Sequence, residues 1–160
     1  MYNVVQIIEL INVFVLAITI ILLFYKFNGR LHLYLIFFCF VLLLNNFGYQ
    51  VELMSTTLET YLVAMKLSYA GRIWIGFALL LFVAELCRVK LPKWFSVVTM
   101  IFYFAVYAVI IDVDKNNLYY TYMEFKINDG FPIIIHGNGI LYYLFAATVV
   151  VFIILADSNS

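Results

Sequence analysis

The chain has 160 residues, of which 67% are hydrophobic and 11% charged, and its nine basic and nine acidic side chains cancel. Ordinary soluble domains are about 45–50% apolar and about 25% charged, so a soluble globule of this size has no interior large enough for this composition. Zero net charge provides no basic field for nucleic acid, which sets that class of partner aside.

Five apolar runs follow one another, at residues 4–25, 31–48, 65–87, 94–111 and 137–156. Each is close to the ~20 residues with which an α-helix crosses a ~30 Å hydrocarbon layer. The expected fold is all-α and integral to the membrane: a five-helix transmembrane bundle forming one domain over residues 1–160, with the lipid bilayer as its first partner. The first run has no basic residue before it, is too long for a signal-peptide core and lacks a small-residue cleavage site, so it reads as a retained span. Gln6, Glu9, Asn12 and Thr19 recur on one face of that helix, which should point at other helices.

Loop charge predicts the orientation. Lys26 and Arg30 follow the first span, and Arg88, Lys90 and Lys93 follow the third. The connection after the second span is acidic, with Glu52 and Glu59. The one after the fourth carries Asp112, Asp114, Glu124 and Asp129 against Lys115 and Lys126. Basic residues near span ends are retained in the cytoplasm, so the N-terminus should lie outside and the C-terminus inside. Pro92 stands where it can stop the third helix and start the fourth. The outer loop, 112–135, differs in character. Leu118 to Ile127 is rich in strand formers, Asn128, Asp129 and Gly130 supply turn chemistry, and Phe131 to Ile135 returns, which predicts a small extracytoplasmic β-hairpin.

Ionisable groups inside spans are costly and usually face partners. Arg72 lies on the order of 9 Å deeper than Lys66 at 1.5 Å per residue, and Glu9 sits at a comparable depth, so the two can pair across helices. A plain packing salt bridge, or separate snorkelling, is the alternative to a sensing role. Asn45 and Asn46 lie near the outer end of the second span, Tyr103 and Tyr107 in the outer half of the fourth, and His136 and Asn138 at the start of the fifth. An outward cavity lined by Glu9, Asn12, Asn45, Arg72, Tyr107 and Asn138 is the ligand site these positions suggest, although interfacial polarity and aromatic belts produce part of the same trend.

Gly71, Gly76 and Ala78 favour close helix packing. Glu85 and Arg88 suggest a local ion pair. His32 fits a headgroup contact, and His136 is a lone imidazole with weak grounds for pH sensing. Cys39 and Cys87 lie within spans and read as packing residues; with no His or Cys cluster beside them no metal site is expected, and no cofactor. Phosphate-binding glycine loops, His-Glu-x-x-His and nucleophile elbows are absent from the sequence, so no enzymatic activity is expected of it.

Met65-Lys66-Leu67-Ser68-Tyr69-Ala70-Gly71, followed by Trp74-Ile75-Gly76-Phe77-Ala78-Leu79-Leu80-Leu81-Phe82, resembles the Leu-x-Tyr-x-Gly segment and aromatic-aliphatic run of the seven-span region at the N-terminus of many bacterial sensor histidine kinases and diguanylate cyclases. The short basic loop with Pro92 and the aromatic outer loop before Gly137 and Gly139 resemble it too. Where that family often has proline early in the third span, this chain has Arg72 and Ile73. The resemblance implies a membrane sensory input module that binds an unknown extracytoplasmic or membrane ligand and passes a helix displacement to a cytoplasmic output domain or partner, with a homodimer compatible with that role. It also implies two further spans and an output domain beyond Ser160, so the chain reads as truncated after its fifth span. A small transporter or channel subunit is the alternative from another class, and a structural membrane protein without its own activity is a third.

Overall fold

The computed structural model describes residues 2–128 and 130–158. Its order is α1 (Tyr2–Tyr25), α2 (Gly29–Leu53), α3 (Leu58–Arg72), α4 (Ile75–Leu86), α5 (Lys93–Ile111), β1 (Tyr120–Asn128), β2 (Phe131–Asn138) and α6 (Ile140–Ser158). By length and composition α1, α2, the 29-residue α3–α4 unit and α5 can each cross a membrane, and the stretch Ile140–Val151 of α6 is apolar but shorter. The expected helical membrane bundle with a small hairpin is the fold observed.

Three span boundaries differ from expectation, the first two at the ends of the second and third spans that face each other. The apolar run of the second span stops at Gly48, but the helix continues to Leu53, which takes Glu52 out of the acidic connection and into the last turn of α2. The third helix begins at Leu58, seven residues before the apolar run at Met65. Thr57 accepts a hydrogen bond from the Thr60 amide while the Thr60 hydroxyl accepts one from the Thr57 amide, a capping box that overrides the polarity of Glu59 and Thr60. That helix is also interrupted. Between Arg72 and Ile75 the ladder tightens, with the Trp74 amide bonding the Gly71 carbonyl at 3.0 Å before regular bonding resumes from Ala78 to Trp74. At the far end of α4, Pro92 is the residue before the first turn of α5, as its missing amide and extended backbone suit it to be.

α2 is the centre of the bundle, packed against α1, α3 and α4, while α4 also meets α6 and α3 meets α5. α1 touches α2 and leaves Ile7, Ile11, Phe14 and Ile18 exposed, the surface a lipid-facing helix presents. The core runs through Tyr69, Ile73, Phe77, Leu80, Tyr103, Val106 and Ile110 and reaches Tyr119 and Tyr120 of the hairpin. Trp74 stands edge-on to Tyr103 and Phe104, at 5.6 and 5.0 Å between ring centroids, and so secures the helix break against α5.

The closest approach is between α2 and α3. A Cβ on Gly48 would lie 2.2 Å from the Ser68 amide nitrogen, and one on Gly71 would lie 2.2 Å from the Val41 carbonyl oxygen, so only glycine permits this spacing. Gly71 thus has the packing use its size suggests, and Gly48 shares it.

β1 and β2 pair antiparallel in the register Met123–His136, Phe125–Ile134 and Asn128–Phe131, with an irregularity between Tyr120 and Tyr122. Asp129, expected in the turn, lies outside the described residues. The strands run further than the sequence suggests. His136, Gly137 and Asn138 belong to β2, and α6 starts only at Ile140. The Gly139 amide bonds the Tyr119 carbonyl at 2.8 Å and the Leu141 amide bonds that of Leu118 at 3.0 Å, which fastens the first turn of α6 to the start of β1.

Candidate functional site

Two helical stripes with the same spacing face each other where α2 crosses α3. On α2 the stripe is Val41, Asn45, Gly48 and Glu52; on α3 it is Tyr61, Met65, Ser68 and Arg72. Steps of four, three and four residues keep each stripe on one face. Because the helices run antiparallel, the Asn45 end of one meets the Arg72 end of the other, and Glu52 meets Tyr61 and Ser68.

Glu52 is 4% exposed. Its carboxylate accepts from the Ser68 hydroxyl and, at 3.2 Å, from the Tyr61 hydroxyl. A buried carboxylate is retained only with such partners, since an unpaired one is expensive to desolvate. Arg72 donates through Nε to Asn45 Oδ1 at 3.1 Å and carries its guanidinium 4.7 Å from the centre of the Tyr69 ring, within cation–π range. Asn45 in turn donates to Asn46.

The hairpin closes the space above these groups. Tyr69 and Tyr120 share a hydrogen bond at 2.6 Å, Tyr119 stands edge-on to Tyr69 and Tyr142, and the His136 ring lies 4.1 Å from that of Tyr120. Burial, reinforced by neighbouring tyrosines, pushes the Tyr119 and Tyr120 phenols far above their ordinary range, so both remain neutral donors at any physiological pH. Burial also lowers His136 below the usual imidazole value, against the Asn138 side chain, which acts in the opposite direction. Among the described residues, its Nδ1 and the Asn138 Oδ1 are buried and neither has a partner at full hydrogen-bond geometry.

These residues enclose a cavity of about 110 Å³, lined by Glu52, Tyr61, Tyr69, Arg72, Tyr120 and His136, with Met65 and Ile134 as its apolar wall. Opposite charges stand on its walls, yet among the described residues Glu52 and Arg72 form no ion pair with each other. The cavity offers an acceptor carboxylate, a guanidinium and several hydroxyls in a small, partly closed space.

Of the six positions expected around a ligand, Arg72 lines this cavity and Asn45 holds it from behind. Asn138 closes β2 two residues beyond His136, and Tyr107 donates to the Lys66 carbonyl at 3.3 Å, so both sit beside the cavity rather than on its wall. Glu9 and Asn12 stay on α1. The expected Glu9–Arg72 pair is not formed, because the guanidinium is taken up by Asn45 and Tyr69. Lys66 does not snorkel alone; it donates to Asp114 at 3.0 Å, which holds that carboxyl below its ordinary value. Glu85 and Arg88 are likewise not among the ion pairs of the described residues, which are Lys66–Asp114, Lys115–Asp112 and Lys126–Glu124.

Sequence reasoning missed Glu52, Tyr61, Tyr69 and Tyr120. Glu52 was legible as the next member, at four-residue spacing, of the face that carries Asn45 and Gly48; the end of the hydropathy run concealed it.

Apolar spanning helices gathered around a charged cavity beneath a hairpin define a polytopic α-helical membrane protein. The family described as the N-terminal 7TM region of histidine kinase matches residues 10–158, nearly the whole chain. The chain belongs to this family and is a membrane sensory input domain. None of the curated proteins and none of the solved structures compared with it matches.

Proposed function

We propose that the chain is the input module of a bacterial signal-transduction protein and senses a small polar solute in the cavity between Glu52 and Arg72. The observation that carries this reading is the separation of these two charges across an enclosed space rather than their direct pairing. A solute of a few heavy atoms, bearing both a donor and an acceptor, fits between them and satisfies His136 Nδ1 as well.

Such a solute favours the state in which the hairpin is closed over the cavity, and it shifts the equilibrium by its difference in affinity for the closed and open states. The hairpin is hydrogen-bonded to the start of α6, and Arg72 stands directly before the break between α3 and α4. Closure is therefore felt by two helices that run toward the opposite end of the bundle. In the orientation that the basic loops favour, with the N-terminus outside, that opposite end is cytoplasmic. The output is a catalytic domain of the same protein or a partner, engaged there by a homodimer of input modules.

The test is a thermal-shift screen of the purified chain in detergent against small polar solutes, repeated with Glu52→Gln and Arg72→Ala. A solute that stabilises the wild-type chain and neither variant supports the reading. A screen without a stabilising solute, or one whose hits act equally on both variants, refutes it.

A further inference from the structure

The end of the bundle opposite the hairpin holds a larger cavity, of about 760 Å³, between the start of α2, the end of α4 and the start of α5. Arg30, Arg88, Lys90 and Lys93 line it against a single carboxylate, Glu85, and none of the four cations takes part in an ion pair among the described residues. The rest of the wall is apolar, with Leu81 and Ala84 toward the bundle interior and Val97 on its exposed side. The cavity thus has a cationic rim and a greasy floor.

Two backbone features add to the rim. Both α2 and α5 begin here, and neither first turn is capped by a side chain: Asn28 makes no such bond and Pro92 has none to offer. The positive ends of two helix dipoles therefore lie beside the four cations. The end of α4 closes in a Schellman arrangement, in which the Arg88 amide bonds the Glu85 carbonyl at 3.1 Å and the Val89 amide bonds that of Ala84 at 2.8 Å. That motif places residue 88 at φ 59, the left-handed position normally given to glycine. An arginine is kept there against the backbone preference, and its side chain lines the cavity.

We propose that this cavity binds the headgroup of an anionic phospholipid, with the phosphate at the rim formed by Arg30, Arg88, Lys90 and Lys93 and the adjoining acyl carbons over Leu81, Ala84 and Val97. The chemistry required is an anion joined to an apolar tail at the level where helix ends meet the headgroups. Basic recesses between helix ends meet that requirement. A phosphate held there bridges α2, α4 and α5, so the site ties the input bundle to the surface charge of its leaflet, independently of the hairpin-capped cavity.

Trp94, beside Lys93 and exposed at the start of α5, supplies the readout, and Trp74, the other tryptophan, is packed on Tyr103 and Phe104 away from this cavity. The full chain is reconstituted in phosphatidylcholine vesicles, and quenching of its tryptophan fluorescence by brominated phosphatidylglycerol is compared with quenching by brominated phosphatidylcholine. Preferential quenching by the anionic lipid is expected. Arg88→Gly should weaken that preference about fivefold, the effect of one interfacial charge, without harming the fold, because glycine suits the left-handed position. Arg30→Gln should act alike, and Lys126→Gln in the hairpin should not. Equal quenching by the two lipids, or a preference that survives both Arg88→Gly and Arg30→Gln, overturns the proposal. If inorganic phosphate abolishes the preference where potassium chloride of equal ionic strength does not, the site takes free phosphate and the lipid assignment fails.

Discussion

Glu52 and Ser68 meet at the crossing of α2 and α3, the serine hydroxyl donating to a carboxylate that is 4% exposed. The contact exists because Gly48, one turn before Glu52, lets the Ser68 backbone come within reach. Helix packing and site chemistry therefore share the same few residues.

Truncating Glu52 leaves the Tyr61 hydroxyl without its carboxylate, whereas Ser68 keeps a 3.0 Å bond to the Met65 carbonyl. Glu52→Ala should cost about 1–3 kcal/mol, the usual effect of orphaning a buried polar group, and Glu52→Gln clearly less because an acceptor oxygen remains. Equilibrium unfolding in mixed detergent micelles measures both. Equal losses for the two would show that shape, not hydrogen bonding, matters at this position.

Gly48→Ala and Gly71→Ala each place a methyl group against backbone atoms of the facing helix, which cannot move aside as a side chain does. Each should destabilise by about 1–3 kcal/mol through overpacking. Gly29→Ala is a poor control because φ there is +76, so Ala70→Gly on the same helix as Gly71 serves instead. Equilibrium unfolding in the same micelles measures each loss, and a loss in Gly71→Ala no larger than in Ala70→Gly would remove the close approach of α2 and α3 as its cause.

The Tyr69 and Tyr120 hydroxyls bond each other between a spanning helix and the hairpin. Tyr69→Phe and Tyr120→Phe remove the same bond, each at about 1 kcal/mol. The double variant should therefore cost less than the sum, and hydrogen exchange of the β1 amides reports the cycle. Strict additivity would mean that the two phenols act on separate partners.

His136 is held neutral by burial, so its folded-state pKa lies below the unfolded value of about 6.5. Stability from this residue is complete above about pH 6.5 and is lost as pH falls from there through the depressed folded value, because the unfolded chain binds the proton more readily. Acidification should loosen the hairpin from the bundle, seen as faster hydrogen exchange in β2, and His136→Gln should flatten that dependence. Unchanged exchange from pH 7.5 to pH 5 would remove His136 from the docking of the hairpin.

Hydropathy carries long-range information about helices and little about where they end. The runs at residues 4–25 and 94–111 reappear nearly unchanged as α1 and α5, since lipid-facing helices are apolar to their tips. α2 and α3 meet under the hairpin at the ends where their apolar runs have already stopped: protein buries Glu52 in the last turn of α2, while Glu59 and Thr60 in the first turn of α3 are exposed. The strand formers around Tyr119 to Ile127 and the turn at Gly130 gave the hairpin away, because backbone preference decides a structure with little packing on one face. Its docking depends on Tyr69, Tyr120 and His136 meeting from three separate elements, and no local pattern encodes such a meeting. Arg72 stood out by its depth, but depth alone does not distinguish Glu9 from Asn45 as its neighbour.

The interruption after Arg72 is built without proline. Ile73, Trp74 and Ile75 all retain their amide hydrogens, so every donor needed for an unbroken helix from Leu58 to Leu86 is present in the chain. A proline would remove a donor from the ladder for good, whereas here the donors remain, and the irregular turn is flanked by Trp74 packed on Tyr103 and Phe104 and by Arg72 bonded to Asn45. Ile73 and Trp74 both keep right-handed helical dihedrals, so the joint is a slip of the hydrogen-bond ladder inside one 29-residue span, and the chain direction is carried through it from Leu58 to Leu86.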